Sequence, residues 1–313
     1  MPQPEIRPAP PRQTALITFQ DGRLFEGPVS LPLKAFVEAA YPNPPEPITA
    51  ALMNGDLVEL TEIVRGDASV QVLDTTTTDG LRIYQRSLLF VLIVAANELF
   101  PEARIIVDHS VTLGGFFCQV KGRPLFETHE LQTLEARMRE IIAQDEPILR
   151  ENLPVDQARA LFEAMGYDDK ARLLRYREEP TINVYRLRGV YDYFYGYMMP
   201  STGALGGFWL ERYPPGFILR MPQRGFPLPL HSHRDYPKLM GVFREYGEWL
   251  SILGIEDIGS LNEAVESGRI REVVLVSEAL HEKQIARIAD DIAHRRPRVV
   301  LIAGPSSSGK TTF

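Results

Sequence analysis

The first eighty residues combine short strand-like runs with one segment of helical spacing. The strand-like runs are residues 15–19, 24–27, 50–53, 57–60 and 70–73. Asp21-Gly22 and Asn54-Gly55 separate the members of two pairs, and such dipeptides favour tight hairpin turns. Between the hairpins, apolar residues recur at helical spacing at Leu33, Phe36, Val37 and Ala40. Two hairpins around one helix predict a small β-grasp domain, which we place at residues 14–75.

Longer helical periods begin near Gly80. Residues 86–100 predict an apolar helix that ends at Pro101, and the strand-like runs 104–108 and 116–120 follow it. Two amphipathic helices come next, with apolar faces at Leu131, Leu134, Met138, Ile141 and Ile142, and at Ala158, Leu161, Phe162 and Met165, the second closed by Gly166. This mixture predicts an α+β domain over residues 80–230.

The following segment, residues 231–296, is predicted to be a mostly helical linker. An apolar stripe at spacings of three and four is expected to pack either on the preceding domain or on a part of the protein outside this chain; it contains Leu239, Val242, Phe243, Tyr246, Trp249 and Leu250. Val273 to Val276 is apolar and mostly β-branched, which fits either a short strand or a helix that continues to His294. Both alternatives stay open.

The last apolar run, residues 299–303, is typical of a buried strand in a parallel sheet. It leads directly into the spacing G-x-x-x-x-G-K-T, in which a loop of backbone N–H groups cradles phosphates. Lys310 would contact the β- and γ-phosphates, and the hydroxyl of Thr311 would bind Mg²⁺. The predicted nucleotide-binding residues are Gly304, Ser306, Ser307, Ser308, Gly309, Lys310, Thr311 and Thr312.

This loop predicts the start of an α/β kinase domain at residues 297–313. A working cradle needs a longer helix, an acidic Mg²⁺ partner and further strands. We therefore expect the chain to be the front part of a longer kinase-like protein, with those parts beyond Phe313. ATP and Mg²⁺ would bind only in that longer protein. The chain by itself would be catalytically inactive and contain no catalytic residue.

Composition limits the function classes. The chain has 313 residues and a formal net charge of −7, which speaks against broad affinity for nucleic acid. Its one cysteine, Cys118, permits no internal disulfide and suits a reducing cytoplasm.

Residues 1–13 are rich in proline and predict a disordered tail without a signal peptide. No apolar run has the length of a membrane span. The oligomeric state is not indicated.

The first domain resembles the TGS domain, a module at the start of threonyl-tRNA synthetases and several GTPases. The resemblance rests on residues 17–22, on residues 53–58 and on Gly66-Asp67 ahead of the last strand. The tripeptide Arg65-Gly66-Asp67 also matches a cell-adhesion motif, but a turn before a strand is the simpler interpretation.

The second domain resembles the second additional domain of threonyl-tRNA synthetase, which hydrolyses mischarged tRNA. The resemblance covers about residues 80–230 and is clearest at 115–117, 138–142 and 200–203. That family carries two helix histidines, and a cysteine and a histidine ahead of its P-S-T-G segment. The corresponding positions of this chain are Arg86, Phe90, Phe194 and Met198.

These four replacements remove the chemistry of the family's site. A guanidinium neither deprotonates nor ligates a metal, and the other three side chains are apolar. The resemblance therefore implies a degenerate site without zinc or hydrolysis, in which Phe90, Phe194, Met198 and Met199 fill the former cleft. Four interleaved tyrosines could line a groove that stacks bases, or could form a strand with one packed and one exposed face: Tyr191, Tyr193, Tyr195 and Tyr197.

The histidines give weak signals. His231 and His233, with Asp235 nearby, are too few for a metal site. The remaining four stand alone and are expected to be ordinary surface or core residues: His109, His129, His281 and His294.

Residues 301–313, together with residues 276–283, resemble bacterial nucleoside kinases of the uridine kinase and phosphoribulokinase type. The resemblance implies a parent enzyme that transfers phosphate from ATP to a nucleoside. Our first hypothesis is therefore the accessory or regulatory region of such a kinase. The second is an RNA- or tRNA-binding module, a partner that the acidic balance disfavours. The third is a metal-free aminoacyl-tRNA deacylase with a rearranged site that uses Cys118 or His109.

Overall fold

The structure, a computed structural model, describes residues 11–111, 114–223, 237–304, 306 and 308. The described chain is a mixed α+β protein with three sheets, which confirms the predicted fold class at this level. It divides into two compact units. The first unit comprises Met1–Leu153 and Asn183–His233, and the second comprises Pro154–Ile182 and Arg234–Phe313.

The strands, in chain order, are β1 (Thr14–Phe19), β2 (Leu24–Pro28), β3 (Ile48–Met53), β4 (Asp56–Glu59), β5 (Ala68–Asp74), β6 (Arg104–Ser110), β7 (Phe116–Lys121), β8 (Leu149–Pro154), β9 (Thr181–Leu187), β10 (Val190–Asp192), β11 (Trp209–Tyr213) and β12 (Gly216–Arg220). The helices are α1 (Leu33–Ala40), α2 (Thr78–Leu99), α3 (Thr128–Ala143), α4 (Val155–Ala164), α5 (Asp168–Leu174), α6 (Pro237–Leu253), α7 (Ile258–Glu266) and α8 (Ile270–Arg295). None of the helices that the structure describes combines the length and hydropathy of a membrane span.

The first sheet has the strand order β2-β1-β5-β3-β4, with β1 and β5 parallel and the other pairs antiparallel. Both predicted hairpins are present. Asn54 and Gly55 have φ values of 54° and 94°, the left-handed geometry that a two-residue hairpin turn requires. The predicted apolar face of α1 is buried against this sheet. The narrower identification of residues 14–75 as a TGS domain stays a prediction.

Helix α2 is the element that both larger sheets of the first unit contact, since it packs on β3, β5 and β6 and on α3. It begins earlier than predicted because Thr77 caps it, its hydroxyl accepting a hydrogen bond from the Gly80 N–H. An added Cβ at Gly80 would lie 2.0 Å from the Asp74 carbonyl oxygen. Glycine at this position therefore lets the helix begin directly against the end of β5.

The other sheets of the first unit have the orders β11-β12-β7-β6 and β10-β9-β8. Helix α3 buries four of its five predicted apolar residues, and Ile142 is half-buried. The alternative that made the four tyrosines into one strand is wrong, since β10 ends at Asp192 and the chain continues irregularly. The reason is that polar side chains from distant elements bind the backbone of this segment, as described below.

The second unit is helical over α4–α8, with a small buried cluster of Ile255, Ala264 and Val273. Val273–Val276 lies within α8, so the helical alternative is the correct one. Within the described part of this unit α6 has no buried residue, and the predicted packing of its apolar stripe stays a prediction.

The predicted buried strand at residues 299–303 is wrong. These residues adopt no regular secondary structure, and the side chain of Leu301 is 89% exposed. A strand of a parallel sheet is buried by neighbouring strands and covering helices. No strand pairs with residues 299–303 in the part of the chain that the structure describes.

Arg188 forms a charged network at the end of α2. It occupies the turn between β9 and β10 with a φ of 53°. Its guanidinium donates to Glu146 Oε1 at 2.7 Å and to Glu98 Oε1 at 2.9 Å, and Arg137 donates to Glu98 Oε2 at 2.7 Å. Burial raises the pKa of Glu98, but the hydrogen bonds from Arg188 and Arg137 outweigh it, so that the pKa lies below its usual range.

We expect Arg188→Gln to lower the free energy of unfolding by about 1–2 kcal/mol at neutral pH. The pKa of Glu98 is lower in the folded chain, so its contribution is present above the unfolded pKa and is lost as the pH falls through the folded pKa. The difference between variant and wild type should therefore shrink on acidification. Urea unfolding at several pH values measures this difference in the free energy of unfolding. The control is Arg82→Gln, because Arg82 forms an exposed ion pair with Asp79. A difference that stays constant down to strongly acidic pH would contradict this assignment.

Candidate functional site

The segment from Tyr193 to Met199, here called the tyrosine segment, has no regular secondary structure. Side chains from other parts of the chain contact its backbone. Four side chains from three other elements or loops contact its backbone: Glu59, Arg86, Ser87 and Tyr185. At its tip the side chain of Tyr195 is 90% exposed. A large aromatic side chain is thus presented to solvent on a backbone that buried polar groups fix.

Arg86 supports the centre of the segment from α2. Its guanidinium donates a hydrogen bond to the carbonyl oxygen of Tyr197. A Cβ at Gly196 would lie 2.9 Å from a guanidinium nitrogen, so Gly196 is the residue type that permits this approach. Burial lowers the pKa of Arg86. The residue at the first of the family's histidine positions therefore acts here as a backbone clamp.

Glu59, at the end of β4, supports the same segment from the first sheet. It is 7% exposed and accepts a hydrogen bond from the hydroxyl of Tyr185. The N–H of Met198 donates to Glu59 Oε1 at 3.3 Å, and Arg150 donates to Oε2 at 3.4 Å. Burial, followed by the negative charge of Glu59, raises the pKa of Tyr185. The Tyr185 hydroxyl also lies 3.2 Å from the carbonyl oxygen of Gly196, so one buried pair fixes two points of the backbone.

Ser87 provides the last contact, and both hydrogen-bonding functions of its hydroxyl are used. It accepts from the N–H of Met199 at 2.8 Å and donates to the Ile83 carbonyl oxygen at 2.9 Å. Ser87 lies one helical turn before Val91 on the buried side of α2. The end of the tyrosine segment is therefore anchored directly onto this helix.

Three of the four residues predicted to fill the former cleft, Phe90, Met198 and Met199, are buried, and Phe194 is half-buried. Phe90 is fully buried, and its ring centroid lies 5.2 Å from that of Phe194 in an edge-on arrangement. Met198 and Met199 are 1% and 2% exposed. The four positions that carry ligands and catalytic groups in the resembled family thus form packing and one backbone clamp in this chain.

An arginine side chain lies over one ring of the tyrosine segment. The guanidinium carbon of Arg150 lies 5.3 Å from the ring centroid of Tyr197, which is half-buried. Aromatic rings that stack bases beside arginines are typical of surfaces that bind single-stranded nucleic acid. The arrangement offers stacking and charge. Its carboxylate, Glu59, and its serine hydroxyl, Ser87, are buried and hydrogen-bonded to the backbone of the tyrosine segment.

The residues of the rearranged deacylase hypothesis lie in β6 and β7. Burial raises the pKa of the Cys118 thiol to about 12, which keeps it protonated and non-nucleophilic at neutral pH. The ring of His109 packs against Phe117 with centroids 5.3 Å apart, and its Nδ1 lies 3.5 Å from an oxygen of Asp108. These contacts favour a structural role for both residues.

The remaining predicted sites are not brought together. In the part of the chain that the structure covers, no group of three or more His, Cys, Asp or Glu side chains could hold a metal ion. His231, His233 and Asp235 lie outside the described residues. His129, His281 and His294 are exposed positions on α3 and α8, as expected of isolated histidines.

The predicted phosphate loop is described only in part. Gly304, Ser306 and Ser308 are exposed, and Ser307, Gly309, Lys310, Thr311 and Thr312 lie outside the described residues. Nucleotide binding by this loop, with ATP and Mg²⁺, stays a prediction.

Comparison with known proteins relates the chain to threonyl-tRNA synthetases, although no family model matches it. It is 33% identical over 165 residues to the threonine–tRNA ligase of Acidithiobacillus ferrooxidans, which covers 52% of this chain and 25% of that protein. It is 34% identical over 158 residues to the enzyme of Hyphomonas neptunium, covering 50% and 24%. With the enzyme of Burkholderia vietnamiensis the identity is 31% over 202 residues, covering 63% and 31%.

The chain therefore matches about a quarter to a third of the length of these relatives. The resemblance to the N-terminal region of threonyl-tRNA synthetase is supported at this level. The assignment of the enzyme as a nucleoside kinase is wrong, because the relatives are named as ligases. The nucleoside partner loses its support together with that assignment.

Sequence reasoning missed the residues that hold the tyrosine segment. Glu59, Ser87 and Tyr185 were not singled out, because each looks like an ordinary residue of a strand or a helix. One signal was present: Ser87 is a small polar residue within the apolar run of α2, where an unsatisfied hydroxyl would be costly. Its partner could not be inferred, since Met199 lies 112 positions further along the chain.

Proposed function

We propose that this chain is a tRNA-binding module that contacts tRNA through the tyrosine segment and does not hydrolyse the aminoacyl bond. The observation that carries the proposal is the 90% exposure of Tyr195 on a segment whose backbone is fixed by the buried Glu59 and Ser87 and the half-buried Arg86. A preformed stacking surface binds a base without first ordering a loop, which reduces the entropy cost of binding.

The relatives support tRNA as the partner. Their printed name describes enzymes that join threonine to tRNA, and the matched region includes at least half of this chain. We further propose that residues 14–75 form a TGS-like domain and residues 80–230 an editing-like domain. The sheet order β2-β1-β5-β3-β4 with one packed helix supports the first of these identifications.

The replaced cleft supports binding without hydrolysis. Hydrolysis of an ester needs an activated water or nucleophile and a group that accepts its proton. At the positions of the family's catalytic groups this chain has Arg86, Phe90, Phe194 and Met198, of which Phe90 and Met198 are buried. The net charge of −7 means that affinity depends on local arginines and on stacking rather than on a basic surface.

We expect Tyr195→Ala to weaken tRNA binding about tenfold, because stacking on one aromatic side chain contributes about 1–3 kcal/mol per base. Fluorescence anisotropy of labelled tRNA at fixed, moderate salt measures the effect. Tyr195→Phe keeps the ring and should bind like the wild type. Tyr246→Ala removes an exposed tyrosine of α6 and should also leave binding unchanged. Equal affinities for wild type and Tyr195→Ala would contradict the proposal.

Release of amino acid from mischarged tRNA separates this proposal from the deacylase alternative. We expect no release above that of a chain-free control at neutral pH. Release that disappears in a Cys118→Ala or His109→Ala variant would support the alternative, whereas binding without release supports the proposed function.

A further inference from the structure

A cavity of about 310 Å³ lies in the first unit, beside the first turns of α2. Its lining comes from five parts of the chain: the segment before β3, the connection between β5 and α2, the start of α2, the loop at residues 204–207, and Pro222 with Gln223. This volume is at the lower end of small-molecule sites. It would hold a compact organic molecule built around one ring. The cavity is not lined by any residue of the tyrosine segment.

The walls of the cavity are mostly apolar. Leu81 and Leu205 are 9% and 5% exposed, and Pro47 and Pro222 complete the apolar lining. The ring of Tyr84 is held in place because its hydroxyl donates to the carbonyl oxygen of Gly206 at 3.0 Å. A flat apolar ring would fit between such walls.

One side chain gives the cavity its charge. Glu46 is half-buried, and its Oε2 accepts a hydrogen bond from the Thr75 hydroxyl at 3.0 Å. Within the described residues, Glu46 forms no ion pair, so its carboxylate retains acceptor capacity and an uncompensated charge. Burial, and to a smaller extent this negative charge, raise the pKa of Tyr84, which lines the same cavity, to about 12.

We propose that this cavity is a binding site for a small aromatic cation or amidinium-type ring whose paired N–H donors contact Glu46. A carboxylate with free lone pairs binds paired N–H donors through short, charge-assisted hydrogen bonds. The apolar walls of Leu81, Leu205 and Pro222 would enclose the ring. The same geometry disfavours an anionic ligand, since its charge would face that of Glu46 in a partly desolvated space. Gln223 would add one amide group at the rim.

Benzamidine is the probe for this site, with benzoate as the isosteric anion. We expect saturable binding of benzamidine to the full chain in ligand-observed NMR or calorimetry, and no binding of benzoate. Glu46→Gln, which keeps the size of the side chain and removes its charge, should weaken benzamidine binding at least tenfold. Glu38→Gln removes an exposed carboxylate from α1 and should leave the affinity unchanged.

A second variant tests the location. Gly206 lines the cavity, and an added Cβ there meets no atom within 4 Å, so Gly206→Leu can be accommodated and would occupy open space. We expect it to abolish benzamidine binding without changing the melting temperature. Equal binding to wild type and Glu46→Gln, or no saturable binding at millimolar benzamidine, would overturn the proposal. Because the tyrosine segment is not part of this lining, tRNA binding should be the same in Glu46→Gln and wild type.

Discussion

Replacing Glu59 with alanine is expected to lower the free energy of unfolding by roughly 3 kcal/mol and to release the tyrosine segment. The substitution leaves the N–H of Met198 without its acceptor, at a cost of about 1–3 kcal/mol. It also removes one hydrogen bond of the Tyr185 hydroxyl, which keeps the Gly196 carbonyl oxygen as acceptor, at a cost of about 1 kcal/mol. It also removes the partner of Arg150. Chemical unfolding measures the stability, and amide hydrogen exchange of Met198 measures the local effect.

Two further variants test whether the loss of stability comes from the acceptor oxygens of Glu59. Glu59→Gln keeps an acceptor oxygen and should cost clearly less than alanine. Glu62→Ala, three positions along the chain, removes a half-buried carboxylate for which no side-chain bond is described, and should change stability little. If Glu59→Ala unfolded at the same denaturant concentration as the wild type, the tyrosine segment would not be held in the way we describe.

Phe90→Ala is expected to lower the free energy of unfolding by about 3–5 kcal/mol, the usual cost of truncating a fully buried phenylalanine. The substitution leaves a cavity beside the buried face of α2 and removes the ring against which Phe194 packs. We expect a lower melting temperature together with faster hydrogen exchange around Phe194.

Phe90→Leu is the matched control, because it refills most of the volume and should recover most of the stability. If Phe90→Ala were as stable as the wild type, the former cleft would be open rather than filled. The filling of the cleft is the structural basis for expecting binding without hydrolysis, so that result would also weaken the proposed function.

The sequence predicted well those parts of the fold that depend on neighbouring residues, namely tight turns and the apolar faces of helices. The Asp21-Gly22 and Asn54-Gly55 turns, the buried face of α1 and the apolar face of α3 follow from spacing and turn preferences that act over a few residues. The burial of Phe90, Met198 and Met199 was predicted as well, because large apolar side chains avoid water. The contact between Phe90 and Phe194 was not predicted.

The sequence failed to predict the structure of segments whose conformation depends on residues far away in the chain. An alternating run of tyrosines favours a strand, yet the segment after Asp192 is shaped by bonds from Glu59, Arg86 and Ser87, which lie more than 100 positions away in the sequence. Residues 299–303 have the composition of a buried strand but no neighbouring strand in the described chain. Composition alone cannot show whether such partners exist.

Ultraviolet crosslinking of tRNA to the chain, followed by mapping of the crosslinked peptide, tests the central claim most directly. Our account predicts a crosslink within residues 193–197 that disappears in Tyr195→Ala while Tyr246→Ala crosslinks normally. A crosslink confined to other surfaces, or equal crosslinking of Tyr195→Ala and wild type at residues 193–197, would contradict the claim that this fixed aromatic segment binds tRNA.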